Sequence, residues 1–176
     1  MPDEDKTNEY VVFARPNLME FLDYIFDNYK VLVWTAASED YAIWIVRNIL
    51  SLSKTSIEPV HRNIELLLSC DHCDISHDLS NGKHKDLNLL YDEFELNKTN
   101  PEIFNDNAIF VLFDDSSTAQ KSNLGTNQPL HRCVPIKPFE LDDNGQFDTK
   151  DDILLQIIQH LDKNPEKLFS RTFSIN

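Results

Sequence analysis

Apolar and polar positions along the chain change period several times, and each change predicts an element. From Leu18 the apolar residues fall at Leu18, Phe21, Leu22, Ile25, Phe26 and Tyr29, with Glu20, Asp23 and Asp27 on the other side, which predicts an amphipathic helix. The period then changes. Val31-Leu32-Val33-Trp34 is short and continuously apolar, the pattern of a strand buried on both faces, and Thr35-Ala36-Ala37-Ser38 ends it. Ser38 is placed to cap a second helix, with Glu39 and Asp40 at its positive end and a stripe of Tyr41, Ala42, Ile45, Val46 and Ile49. Ile64 to Leu68 reads as a further strand, Ser69 to Lys83 as a polar loop and Lys85 to Phe94 as a short helix. Ala108 to Phe113 is the most strand-like window and stops abruptly at Asp114-Asp115-Ser116-Ser117. A last strand is expected near Cys133 to Ile136, then a helix capped by Thr149 with the stripe Ile153, Leu154, Ile157, Ile158 and Leu161. Tyr10 to Phe13 is a short β-favouring run that ends at Arg15-Pro16, and Ser51 to His61 has no pattern that assigns it. Strands alternating with helices predict an α/β fold, a three-layer arrangement around a parallel sheet.

Length and charge narrow the function. A chain of 176 residues fits one domain, here expected over 10–164 with a charged tail at 1–9 and a second tail at 165–176. Lys and Arg total 16 against 30 Asp and Glu, for a formal charge of −14. Direct nucleic-acid binding and attraction to anionic membranes are therefore disfavoured, because both depend on clustered cations. No apolar run is long enough for a membrane span, the start Met-Pro-Asp-Glu-Asp-Lys carries no secretion signal, and the 3 cysteines do not form a disulfide framework. An intracellular protein, nuclear or cytoplasmic, is expected. With only 3 glycines, neither GxGxxG nor GxxxxGK[ST] can be built, which removes dinucleotide and Walker-type chemistry.

In parallel α/β sheets ligands bind beyond the carboxyl ends of the strands. Two such ends carry pointed chemistry: Thr35 after the first apolar strand, and Asp114-Asp115 after the later one. Adjacent acids closing an apolar strand suit a hard cation completed by water and a substrate phosphate. The same composition also describes a solvated turn, since Asp favours turns.

Taken in order, four blocks resolve the choice. Arg15-Pro16-Asn17-Leu18 through Leu22, then Tyr29 through Ala37 with Tyr41-Ala42, then Lys85-Asp86-Leu87, then Phe113 through Ser117, together resemble the haloacid dehalogenase superfamily. Within it they are most similar to the RNA polymerase II C-terminal-domain phosphatases and the small phosphatases of the NLI-interacting-factor type. The resemblance runs from about Val11 to the last helix. The Ala36-Ala37 pair is similar to compact homologues carried by large DNA viruses. The resemblance implies a Rossmann-like parallel sheet and a Mg²⁺-dependent phosphomonoesterase that works through a phospho-aspartyl intermediate. Its substrate would be a phosphoserine or phosphothreonine protein or peptide, the polymerase tail among the candidates. By the same resemblance Thr35 would hold a phosphoryl oxygen, Lys85 would neutralise nucleophile and phosphate, Asp114 would orient Lys85 and the metal shell, and Asp115 would bind Mg²⁺. Arg15, Ala36 and Lys83 would join Thr35 and Lys85 in contacting substrate.

One part of the pattern is missing. The family's nucleophile lies in Asp-x-Asp-x-Thr at the end of a central first strand, well before the Arg-Pro block. Asp3-Glu4-Asp5-Lys6-Thr7 matches the spelling but follows no apolar strand, and the seven residues from there to Arg15 span at most roughly 25 Å. It is read as charged tail. The sheet is thus expected to lack its central first strand, which belongs between the strand ending at Thr35 and the strand ending at Asp114. Two readings follow: a natural protein that extends upstream and is an active phosphatase, or a catalytically inactive phosphatase-like binding or scaffolding module. The first is favoured, because an empty position would leave two apolar strands with unpaired ladder groups. Separately, Cys70-Asp71-His72-Cys73 with His77 and His84 has zinc-ligand spacing, against the plainer reading of a buried cysteine and loop histidines.

Overall fold

A computed structural model describes residues 11–51, 62–74, 85–92, 96–103, 109–116, 119 and 132–163. The segment 1–10, with the Asp3-to-Thr7 match, lies outside the described residues, as do Lys83, His77, His84 and the 165–176 tail.

Helix α1 (Leu18–Asn28) buries Leu22 and enters through Asn17, whose φ of 63° is left-handed. Asn is among the few residues other than glycine that adopt that region readily. Strand β1 (Val31–Trp34) follows, then α2 (Glu39–Ile45), which continues as one π-helical turn over Val46–Leu50. Ser38 starts α2 through its carbonyl, which accepts the Ala42 N–H at 3.0 Å; its hydroxyl makes no cap bond. Strand β2 (Ile64–Leu68), the helical turns α3 (Cys70–Asp74), α4 (Leu89–Asp92) and α5 (Leu96–Thr99), strand β3 (Val111–Asp114), strand β4 (Arg132–Pro135) and helix α6 (Ile153–Lys163) complete the order.

The architecture is mixed α/β with parallel strands. β1 pairs with β2 and β3 pairs with β4, both parallel, as two separate two-stranded sheets. Alternation sorts their side chains onto two faces. Leu32, Trp34, Leu66, Phe110 and Leu112 pack on a buried cluster of Leu68, Leu87, Leu90 and Ile103. Val111, Phe113 and Ile136 pack on the opposite cluster of Val134, Ile153, Leu154 and Ile157, where Leu18 and Phe21 of α1 join them. β1 and β3 therefore contribute to one common layer although they do not pair.

Between them lies a cavity of about 520 Å³. All of Val31 to Trp34 line one wall and Ile109 to Phe113 the other. Phe21, Ile25 and Leu161 close it on the helical side, and Leu68, Leu87, Leu90 and Ile103 close it opposite.

Four expectations need correction. Val11 to Phe13 form no strand among the described residues, and Val11 and Phe13 are exposed, because the run finds no ladder partner. Cys70–Asp74, expected as loop, is helical, though it carries no apolar stripe. The last helix begins at Ile153 and is not capped by Thr149: the Asp151 carboxylate accepts the Ile153 N–H at 3.3 Å. The later apolar strand is shorter than its composition and spans Val111–Asp114.

Candidate active site

Two strand ends carry the expected chemistry, Thr35 after β1 and Asp114 at the end of β3, and the structure pairs Lys85 with Asp114. After β1, the Thr35 N–H still donates to the Leu68 carbonyl at 2.9 Å, so the backbone stays registered with β2 one residue beyond the strand. The Thr35 hydroxyl oxygen accepts the Ala37 N–H at 3.1 Å. That bond uses an oxygen lone pair and leaves the hydroxyl proton to be donated elsewhere. Ala36 is exposed beside it.

Lys85 reaches the same layer from the opposite side of the chain. Leu87 and Leu90, both buried, anchor its segment, and the Asp86 carboxylate accepts the Asn88 N–H at 2.9 Å to fix the turn. The Lys85 ammonium donates to Asp114 Oδ2 at 2.6 Å. Both side chains are largely buried, at 14% and 5% exposure. The other Asp114 oxygen accepts the Ser116 N–H at 2.7 Å. Asp114 is thus held on both oxygens at the end of β3. Asp115, one residue on, is exposed to solvent.

Cys133 on β4 lies within reach of this pair electrostatically. Burial, with the Asp114 charge adding and Lys85 opposing, pushes its thiol up to about 12. It is a poor nucleophile at neutral pH.

Arg15 is held by a carboxylate. Its guanidinium makes a two-pronged pair with Asp151, Nε to Oδ1 at 2.8 Å and Nη2 to Oδ2 at 2.7 Å. It also lies over the Phe139 ring, 5.6 Å from the centroid, and Phe139 stacks on Phe147 at 4.7 Å. The Arg15 hydrogen bond holds the Asp151 carboxyl below the usual carboxylate range, against the opposing effect of burial.

Cys70 and Cys73 sit in α3, directly after β2. Cys73 is buried and its thiol donates to the Thr35 carbonyl at 3.6 Å; Cys70 is partly exposed. Among the described residues no group of three His, Cys, Asp or Glu side chains is arranged to hold a metal ion. His77 and His84 lie outside those residues.

The ordered blocks around these strand ends have counterparts in known proteins. The NLI interacting factor-like phosphatase family matches residues 1–168. The chain belongs to that family. A CTD phosphatase-like protein, 355R, of Invertebrate iridescent virus 3 is 37% identical over 142 residues, covering 80% of this chain and 68% of the relative. Its namesake in Invertebrate iridescent virus 6 is 30% identical over 142 residues, covering 79% and 69%. Membership in the NLI interacting factor-like phosphatase family implies a haloacid-dehalogenase-like fold, and its phosphatases generally depend on Mg²⁺. Among the described residues no helix is long and apolar enough to cross a membrane.

Sequence reasoning missed the wiring from α3 to the Thr35 turn. The Cys70 N–H donates to the Ala37 carbonyl at 2.9 Å, and Cys73 bonds the Thr35 carbonyl. The available signal was order alone: two apolar strands in a parallel β-α-β unit, each ending in a turn, Thr35 after the first and Cys70 after the second.

Proposed function

We propose that this protein is a phosphoprotein phosphatase acting on phosphoserine or phosphothreonine, with its aspartate nucleophile on a strand that fills the cavity between β1 and β3. The observation that carries this reading is the buried Lys85–Asp114 pair at the end of β3, in a chain of this phosphatase family. Phosphoryl transfer asks a protein mainly for in-line positioning and a clamp of cations and donors around the equatorial oxygens. Lys85 supplies the fixed cation, oriented by Asp114. Thr35 supplies a hydroxyl donor whose oxygen is held by the Ala37 N–H. Asp114, held on one oxygen by Lys85 and on the other by the Ser116 N–H, serves as the orienting group.

The donor set fits a divalent cation in part. Mg²⁺ takes one or two carboxylates plus water and substrate phosphate. The exposed Asp115 carboxylate would be this chain's contribution, and carboxylates on the inserted strand would add to it. Bound there, the ion would neutralise phosphate charge. Arg15 acts as an anchor for the segment leading into α1, and the exposed Ala36 stands beside the Thr35 turn. The relatives' names, CTD phosphatase-like, support a phosphoprotein substrate, with the polymerase tail among the candidates.

The test is Mg²⁺-dependent hydrolysis of a small aryl phosphate by the complete native protein. Lys85→Ala and Asp115→Ala are each expected to cost at least about 10²-fold in kcat/KM, roughly 3 kcal/mol of transition-state stabilisation. Removal of Mg²⁺ with EDTA should abolish turnover. Activity indifferent to both substitutions would sink the assignment of roles. Binding of a phosphopeptide without turnover would make the protein a non-catalytic module.

A further inference from the structure

Three hydrogen bonds tie the segment after β1 to the end of β2 and to α3. The Thr35 N–H donates to the Leu68 carbonyl at 2.9 Å, and the Cys70 N–H donates to the Ala37 carbonyl at 2.9 Å. The Cys73 thiol donates to the Thr35 carbonyl at 3.6 Å. The two cysteines differ in access: Cys73 is 1% exposed, whereas Cys70 is partly exposed.

They are also spaced for a bond with each other. Cys70 and Cys73 stand at i and i+3 of the helical turn α3. Helical geometry puts such Cα atoms about 5 Å apart, inside the roughly 4.4–6.8 Å that a disulfide spans. The Cβ atoms, about 5–6 Å apart on a helix, must close to about 4 Å. Something in the turn has to move. Closure consumes the Cys73 thiol hydrogen, so the bond it donates to the Thr35 carbonyl is lost whichever sulfur moves.

We propose that Cys70 and Cys73 are an oxidisable dithiol, a modification site whose closure to a disulfide withdraws Cys73 from Thr35 and loosens the Thr35–Ala37 turn. The oxidant class is a peroxide. The Cys70 sulfur, as thiolate, attacks one peroxide oxygen; the O–O bond breaks, hydroxide leaves, and Cys70 becomes a sulfenic acid. The Cys73 sulfur then attacks the Cys70 sulfur, the S–O bond breaks and water leaves with the Cys73 proton. Two thiols lose two electrons and hydrogen peroxide becomes two waters. A thiol reductant reverses the change. The dithiol itself stands on the α3 geometry alone; its consequence for phosphate binding rests on the phosphatase reading.

The experiment exposes the 176-residue chain to hydrogen peroxide and reads thiol state by alkylation and intact mass, with amide hydrogen exchange on the same samples. The expected result is a loss of two hydrogens with Cys70 and Cys73 protected and Cys133 still alkylated. Exchange at Thr35 to Ala37 should quicken and return with dithiothreitol. Cys70→Ser, at the partly exposed position, should keep the fold and lose both responses. Cys70 passing to sulfinic acid with Cys73 still a thiol would overturn the proposal. So would a purified chain whose two thiols hold zinc against peroxide, or a disulfide that leaves exchange at Thr35 unchanged. Titration with inorganic phosphate separates the two readings: about a fivefold or greater weakening on oxidation is expected. Phosphate binding absent from both redox forms, with the exchange response intact, would count against the phosphatase reading alone.

Discussion

Arg15 illustrates how one side chain can be committed before any substrate arrives. Its planar fork meets both Asp151 oxygens, while Asp151 also accepts the Ile153 N–H that starts α6. The pair therefore joins the entrance of α1 to the start of the last helix. Breaking it leaves a largely buried charge, so Arg15→Met or Asp151→Asn is expected to cost about 3 kcal/mol in urea unfolding. The sign with pH follows from the depressed carboxyl. Arg15 chiefly, with the Ile153 N–H and Lys137 adding, lowers the folded value below the unfolded one. The stabilisation is complete above the unfolded value near about pH 4 and is lost as pH falls through the depressed folded value. An acid titration of stability should accordingly steepen below about pH 4 in the native chain and flatten in Asp151→Asn. The motif Arg15-Pro16 was legible in the sequence, but its partner was not, because Asp151 stands 136 positions away and nothing local marks it.

At the scale of elements, helix α6 shows what holds the second core. Ile153, Leu154 and Ile157 are buried from its inner face and meet Val134 of β4, with Phe21 of α1 alongside. Ile157 is 1% exposed. Ile157→Ala is expected to cost about 3 kcal/mol by a chemical melt, the transfer loss plus a cavity that neighbouring helices cannot fill. Leu90→Ala should cost a similar amount in the first cluster and also weaken the Lys85 pair, since Leu90 anchors that segment. β1 and β2 were legible as short apolar runs, and α1 because large apolar residues recur at every third to fourth position. α3 was not, since Cys-Asp-His-Cys-Asp has no stripe and is helical only through its bonds to the Thr35 turn and to Ser69. Val11 to Phe13 failed in the opposite sense: β-favouring composition makes a strand only where a ladder partner exists. Of the site, the strand-end positions of Thr35 and Asp114 could be placed from order, and the Lys85–Asp114 pairing came from the family resemblance; the Ala37 and Ser116 N–H groups that hold Thr35 and Asp114 could not be read.

For the whole molecule, the decisive feature is the apolar space between two sheets that pack on one common cluster, that of Leu68, Leu87, Leu90 and Ile103. Val31 to Trp34 and Ile109 to Phe113 both line this space of about 520 Å³, and a gap between two parallel strand pairs is a place where another strand can add. The lining is apolar on both sides, so a fitting occupant is a continuous apolar run in place of an alternating one. Each β-branched or large aliphatic residue buried there contributes about 1.5–3 kcal/mol, against about 1–2 kcal/mol of backbone ordering. Four such residues leave a net gain of a few kcal/mol. Since 1 kcal/mol shifts the melting temperature of a chain this size by about 2–4 °C, joining an apolar strand to the N-terminus should raise it by roughly 10 °C. Dye binding to exposed apolar surface should fall in the same sample. A strand of alternating Lys and Val, equal in length, serves as the comparison: its charges cannot be solvated between Phe21 and Leu90, so it should raise neither stability nor dye exclusion. Equal stabilisation by both strands would show that the added segment binds elsewhere. The net charge of −14 adds a requirement of its own, because a phosphorylated substrate approaches against that field. A filled slot that brings further carboxylates to the ends of β1 and β3 makes a bound cation necessary for affinity. Phosphopeptide binding to the strand-completed protein is therefore expected to depend on Mg²⁺ more steeply than binding to the chain alone, a difference that titration calorimetry in the two metal conditions would read directly.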